Sequence, residues 1–233
     1  ATGGPSLAQV ERAEPISAWA SIVNQMDASR LANNLASVKA RITAASAGRP
    51  AVRMVAVTKS VSVDIAARLP DLGVTDLAEN RPQELWKKQA AVPGANWHLI
   101  GHLQSNKVRK VLPVVEMIQS VDSLELAYDI NRIAGELGVF PKVLIEVTVA
   151  EEASKHGFPA HKLETQLEDL LQCDRIDVHG FMCVPPISED PEDSRKHFVF
   201  LRQFRDKLEK MAGTKFPTLS MGMSGDYAVA VEE

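Results

Sequence analysis

The 233-residue chain is 45% hydrophobic, 24% charged and 5% aromatic, and its 26 basic and 30 acidic side chains leave a formal charge of −4. That balance belongs to a globular protein, and mild acidity without a long basic run excludes a large phosphate-neutralising surface, so nucleic acid is not an expected partner. No apolar stretch reaches the roughly 18 residues of a membrane-crossing helix and no charged-then-apolar leader opens the chain, so a cytoplasmic protein with no membrane association is expected.

Residues 1–15, which open on ATGGPSLAQ, are rich in small side chains and are expected to form a flexible tail. From Ile16 to about Ala45, Ile22, Met26, Leu31, Leu35, Val38 and Ile42 recur at steps of three to five, with Asn33, Asn34, Lys39 and Arg41 mostly between them. This predicts an amphipathic helix, ended by Gly48, Arg49 and Pro50. Val52 to Val57 is short, β-branched and apolar, which predicts a strand buried on both faces. A helix follows from Ser62–Asp64, then strand Thr75–Ala78, helix Gln83–Ala91, strand Trp97–Ile100, helix Asn106–Leu112 and strand Met117–Ser120. Helix Leu124–Leu137, capped by Gly138, precedes strand Lys142–Val149, helix His161–Leu171, strand Asp177–Val184, helix Ser194–Met211 and strand Thr218–Met221. Seven short apolar strands separated by helices are βαβ units, which require a parallel sheet with right-handed crossovers. No linker divides the series, so residues 16–233 are expected as one domain. With no G-x-G-x-x-G turn after the first strand, an incomplete (β/α)8 barrel fits better than a doubly wound sheet.

In a parallel barrel the chemistry sits at the carboxyl ends of the strands. Those positions hold Lys59, Glu79, Asn80, His98, the run Gly101–Lys107, Ser120, Glu146, Met182 and the loop Ser220–Asp226. A lysine that ends an apolar strand is costly to bury as ammonium, and desolvation favours the neutral amine that attacks a carbonyl carbon, the setting of a Schiff-base lysine. The alternative is a lysine whose stem lies on apolar surface and whose ammonium stays in water. In SMGMSGD, Gly222 and Gly225 permit backbone conformations that turn successive N–H groups inward, and Ser220 and Ser224 add hydroxyls, a cup suited to phosphate or an ordinary turn before a helix. Ser105 and Asn106 are placed to cap the next helix, with Lys107, Arg109 and Lys110 on its first turns as an anion site or a solvated basic face. Lys155, in the loop after the fifth strand with His156 beside it, is a second amine or a loop lysine facing water. Cys173 and Cys183 lack zinc-ligand spacing, and His98 and His102 are not spaced as a metal pair, so free thiols and no metal are expected.

Taken in order, AVTKS, ENRPQE, WHLIGHLQSNKVRKV, QSVDS, EEASKHG, HGFMCVPP and LSMGMSGDYAVAVEE resemble the small pyridoxal-phosphate-binding barrel proteins of the YggS/PROSC family, the pyridoxal phosphate homeostasis proteins. The resemblance runs from about Ile16 to the last residue. It implies the fold of the N-terminal barrel domain of alanine racemase without a second β domain, and pyridoxal 5′-phosphate (PLP) held as an internal aldimine on Lys59. It also implies a phosphate loop at Ser220, Met223, Ser224 and Gly225, with Asn80 and His98 lining the cofactor pocket, and secondary roles for Lys155 and Met182. Family members are carriers or buffers of PLP, so the resemblance points to PLP and PLP-dependent apo-enzymes as partners, and the polar helix surfaces to a monomer. Two departures are visible. Arg81-Pro82 replaces the family's aromatic-aliphatic pair in ENYVQE, and the family continues beyond AVAVEE into an eighth strand carrying an arginine expected near the pyridine nitrogen, so a last βα unit is expected to be missing. Two rival readings are a PLP-dependent racemase, which needs an opposing acid/base such as Tyr128 or Tyr227, and a cofactor-free Schiff-base aldolase.

Overall fold

A computed structural model describes residues 16–49, 52–149 and 157–233, with side chains from residue 28 onward. The chain forms two compact units, Ala1–Ala40 and Arg41–Glu233. Helix α1 (Ile16–Ser46) is the described part of the first, and its last turns belong to the second. Along it Leu31, Leu35, Val38 and Ile42 are half-buried while Asn33, Asn34, Lys39 and Arg41 are exposed, so the predicted amphipathic pattern is present from Leu31 to Ile42, and the Ile22 and Met26 side chains lie outside the described residues. The helix stops where Ala47 and Gly48 turn to φ 46° and 78° and Arg49 donates to the carbonyls of Ala45 and Ser46, which supplies partners for orphan groups of the last turn.

The second unit is a parallel α/β barrel left open along one side. Its strands are β1 (Ala56–Val57), β2 (Asp76–Glu79), β3 (Asn96–Leu99), β4 (Met117–Val121), β5 (Lys142–Thr148), β6 (Phe158–Pro159), β7 (Asp177–Met182) and β8 (Thr218–Ser220). The sheet order is β1-β2-β3-β4-β5-β7-β8, every pairing is parallel, and short β6 adds to the end of β5. The seven strands of the main path are the seven expected from the sequence. Two residues long and starting next to an undescribed segment, β6 carries no periodic signal and was not foreseen.

Helices α2 (Val63–Ala67), α3 (Pro82–Ala91), α4 (Ser105–Val111), α5 (Leu124–Leu137), α6 (Ala160–Leu171), α7 (Arg195–Ala212) and α8 (Tyr227–Glu232) alternate with the strands. Ser123 caps α5 through the Leu126 N–H, and Gly138 ends it at φ 68° as expected. Apolar stripes such as Leu163, Leu167 and Leu170 of α6 and Phe198, Leu201, Phe204 and Leu208 of α7 are buried. Phe181 of β7 meets Phe216 edge-on with ring centroids 5.1 Å apart. A second cluster, Met117, Leu144 and Met182, unites β4, β5 and β7. Among the described residues no helix is long and apolar enough to cross a membrane.

One expectation fails at β1. Val52 and Val57 are 46% and 48% exposed, where the sequence predicted a strand buried on both faces. The physical reason is position in the sheet: β1 pairs with β2 along one edge only, and among the described residues nothing covers the other. An apolar run records the wish to be buried but not which neighbours are present.

Candidate functional site

Lys59 follows β1 by one residue, and what precedes it is held from three directions. Thr58 is buried, and its N–H donates to the Ala78 carbonyl at 2.9 Å. Its hydroxyl donates to Glu79 Oε1 at 2.6 Å, and its carbonyl accepts from Lys88 Nζ at 2.6 Å. Lys88 Nζ also donates to Glu79 Oε1 at 2.6 Å, with both side chains almost wholly buried. Lys59 itself is exposed. That exposure departs from the burial that its strand-end position implied, since β1 is an edge strand whose other side nothing covers among the described residues. The fixed backbone, not burial, is what distinguishes this lysine. Lys88 was missed in the sequence, although Leu85, Lys88 and Val92 share one helical face, and a lone lysine on an apolar stripe is the signal that could have found it.

Asn80 ends β2 and is half-buried. The loop after β3 lies directly on it: a Cβ on Gly101 would stand 2.1 Å from the Asn80 carbonyl oxygen, so only glycine fits. Ser120 fastens the same loop by donating to the Gly101 carbonyl at 2.7 Å. His98, expected to line the pocket, is wholly buried. Its Nε2 lies 3.1 Å from Asp76 Oδ1 and its Nδ1 2.9 Å from Gln119 Nε2, while Ser220 Oγ donates to Gln119 Oε1 at 2.7 Å. Burial holds the His98 imidazolium below the ordinary histidine range against the upward pull of Asp76. His98 thus reaches Ser220 only through Gln119, a residue whose polarity inside QSV carried no separate signal in the sequence. Met182 is buried in the Met117–Leu144 cluster.

The loop after β8 is shaped by Asp226. Its Oδ1 accepts from the Met223 N–H at 2.6 Å and its Oδ2 from the Ser194 hydroxyl at 2.8 Å. Gly222 stands at φ 88°, and a Cβ there would lie 2.8 Å from that of Ala230. With the Met223 N–H occupied, the groups turned outward are those of exposed Ser224 and Gly225, whose N–H groups have no hydrogen bond among the described residues. Helix α8 behind the loop is tied down by Arg195, which pairs with Glu232 and Glu233, and by Arg202, which pairs with Glu233. An exposed amine at the end of β1 and unengaged hydroxyl and amide donors after β8 lie at the same end of the parallel sheet. That donor set fits an aldehyde carrying a phosphate.

Of the two readings of α4, an anion site or a solvated basic face, Arg109 and Lys110 follow the second, since both are exposed. Gln104 precedes the helix without a side-chain cap, and Ser105 instead helps hold the Asp129 carboxyl of α5 below the usual carboxylate range. Arg109 pairs with Glu136, and Lys110 Nζ lies 5.9 Å from the centre of the Trp86 ring. These cations belong to the outer helix layer because a seven-residue helix packed on α5 turns them toward its neighbours. Lys155 and His156 lie outside the described residues. Cys173 and Cys183 are free and buried.

Glu146, at the carboxyl end of β5, shares a register row with Met182 of β7 and Ser220 of β8. Burial, assisted by Asp122 and opposed by His102, raises its carboxyl to about 7; His102 Nδ1 lies 2.7 Å from Asp122 Oδ2. A carboxyl raised in the folded state favours folding most fully below its unfolded value, near 4.3, and that contribution is lost as pH climbs through about 7. Glu146→Gln is therefore expected to leave stability nearly unchanged at pH 4 and to raise it at pH 8. Urea unfolding at the two pH values checks this, and equal effects at both would contradict the buried protonated carboxyl.

The family described as alanine racemase, N-terminal domain, matches residues 26–232. The pyridoxal phosphate homeostasis protein of Aquifex aeolicus is 35% identical over 206 residues, spanning 88% of this chain and 90% of that protein. The human protein of the same name is 31% identical, spanning 85% of this chain and 79% of its own. Among solved structures, PipY of Synechococcus elongatus with PLP bound is similar at a TM-score of 0.77 and 35% identity, covering 86% of this chain and 92% of that one. Alanine racemase of Clostridium difficile, 18% identical, shares the fold at a TM-score of 0.67, with 82% of this chain and 50% of the racemase covered.

Proposed function

The chain belongs to the pyridoxal phosphate homeostasis proteins, built on the alanine racemase N-terminal domain, and from that premise we propose that it holds PLP covalently through Lys59 and releases it to PLP-dependent apo-enzymes. The observation that carries this reading is the clamped strand end bearing an exposed amine, at the same sheet end as the unengaged donors of Ser224 and Gly225. Lys59 would hold the cofactor, and PLP would supply there an aldehyde carbon open to attack by the amine. The chain's own contribution is positional. The Lys88–Glu79 pair sets the backbone from which Lys59 emerges, Gly101 lets the loop after β3 close on Asn80, and Asp226 shapes the loop that receives the phosphate.

Holding rather than turnover is supported by where the two tyrosines lie. Tyr128 is exposed on α5, and the Tyr227 hydroxyl is buried on α8 beneath the Arg41 guanidinium, 5.0 Å from its ring centre. Tyr128 thus lies on the outer face of a helix and the Tyr227 hydroxyl is shut away from solvent. The chain is proposed to act in the cytoplasm as a monomer. Absorbance and intact mass before and after borohydride reduction test the reading. A visible band that converts to a stable PLP-sized mass increment is expected, and a colourless chain that gains no mass after incubation with PLP would refute it. Across a panel of amino acids, no deuterium exchange at the α-carbon above that of free PLP is expected.

A further inference from the structure

Four side chains connect β2 to the loop after β8, and the chemistry at one end settles the direction of every hydrogen bond between them. Asp76 is a carboxylate that can only accept, so the proton of the neutral His98 ring resides on Nε2, 3.1 Å away. Nδ1 then presents a lone pair, and Gln119 must turn its Nε2 toward it, at 2.9 Å. Gln119 Oε1 is left facing Ser220, whose hydroxyl donates to it at 2.7 Å. The single proton of Ser220 is thereby committed inward, and toward the loop the oxygen offers only lone pairs.

A phosphate dianion has no proton to give to those lone pairs. If Ser220 simply rotated toward it, Gln119 Oε1 would be left buried without a donor, a state that folded proteins avoid. One added proton resolves the conflict. With both ring nitrogens of His98 protonated, Nδ1–H donates to Gln119 Oε1, the amide turns over, its Nε2 donates to Ser220 Oγ, and the hydroxyl proton is free to point into the loop. We propose that Gln119 and His98 are positioning residues for phosphate binding, and that a phosphorylated ligand in the Ser220–Gly225 loop is taken up together with one proton that lodges on the His98–Asp76 pair. This rests on the reading of that loop as the phosphate site.

The charged groups around His98 set the sense of the coupling. Asp76 from β2 and Glu116 ahead of β4 favour the added proton; Arg53, ahead of β1 and 3.6 Å from Asp76 Oδ1, opposes it. Glu116 is itself paired with Lys142 of β5 at 2.7 Å. Gln119, from β4, is neutral and only transmits. Affinity for the phosphorylated ligand therefore falls as pH rises.

Calorimetric titration with pyridoxine 5′-phosphate, which has no aldehyde and leaves Lys59 silent, tests the coupling between pH 7 and 9 in buffers of different ionisation enthalpy. His98→Gln keeps an amide that bonds Gln119 and Asp76 in the original direction but cannot titrate, and the ligand's own ionisations cancel in the comparison. The unaltered protein is expected to take up close to one proton more than this variant, and its affinity to fall by up to roughly tenfold per pH unit relative to it. Gln119→Leu releases Ser220, so it is expected to lose the extra pH dependence and to bind at pH 9 at least as tightly as the unaltered protein. Equal proton uptake and equal pH slopes in the unaltered protein and both folded variants would overturn the proposal. Absence of binding, or binding unchanged in Ser220→Ala, would instead remove the phosphate-loop reading, and the coupling with it.

Discussion

Replacing Lys59 by alanine is expected to abolish the visible absorbance of the PLP-loaded protein and the borohydride-stable mass increment, while leaving the fold intact. The reason for the contrast is local. Lys59 is exposed, and substitutions at exposed positions usually change stability by no more than about 0.5 kcal/mol. Thr58, by comparison, is buried and bonded through its N–H, hydroxyl and carbonyl. The amine is therefore dispensable for folding and indispensable for the covalent bond. Intact-mass measurement after reduction, with a thermal melt alongside, separates the two consequences. A reduced adduct that persists in Lys59→Ala, on Lys155 or any other amine, would move the cofactor elsewhere and contradict the assignment.

Lys88→Met is expected to produce the largest loss of stability of any single change around the site. Lys88 Nζ and Glu79 Oε1 lie 2.6 Å apart, with side chains 3% and 0% exposed. Removing one partner of such a pair leaves a buried charge without compensation, at a cost of about 3–5 kcal/mol. For a domain of this size that lowers the melting temperature by on the order of 10 °C. Glu79 Oε2 is already buried without a partner among the described residues, so without Lys88 the neutral Thr58 hydroxyl on Oε1 is left to compensate the buried carboxylate. The double variant Glu79→Gln/Lys88→Met removes both charges and retains an amide oxygen for the Thr58 hydroxyl, so most of the loss is expected to return. A double-mutant cycle on denaturant midpoints measures this. Additive effects with no recovery would show that the two side chains act independently of each other. In the single variant the Thr58 carbonyl also loses the Lys88 donor, so the absorbance of PLP on Lys59 is expected to shift as well, which loss of packing alone would not cause.

Much of the site could be read in the linear chain, because strand ends in a parallel barrel are known once the apolar runs are. Asn80, Ser120, Glu146 and the SMGMSGD loop all fall at strand ends in the structure, as their positions implied. The partners of these residues were not readable. Gln119 bonds His98 and also Ser220, which is 101 positions further along the chain, and Lys88 reaches back 30 positions to Thr58. Ser105 showed the opposite error: its local pattern said cap, but it is the first residue of α4 and Gln104 stands at the cap position.

Apart from β6 and α8, the sequence by itself determined the order and type of the elements, the seven-strand main path of the parallel sheet and the end of it that carries the polar residues, since periodicity and turn chemistry act within a few residues. Only the tertiary structure decided that Lys59 is exposed, that His98 is buried behind Gln119, and that Lys88 and Glu79 hold the backbone beneath the lysine. Burial and hydrogen-bond partnership are properties of neighbours, and in a barrel the neighbours come from strands and helices far apart in the chain.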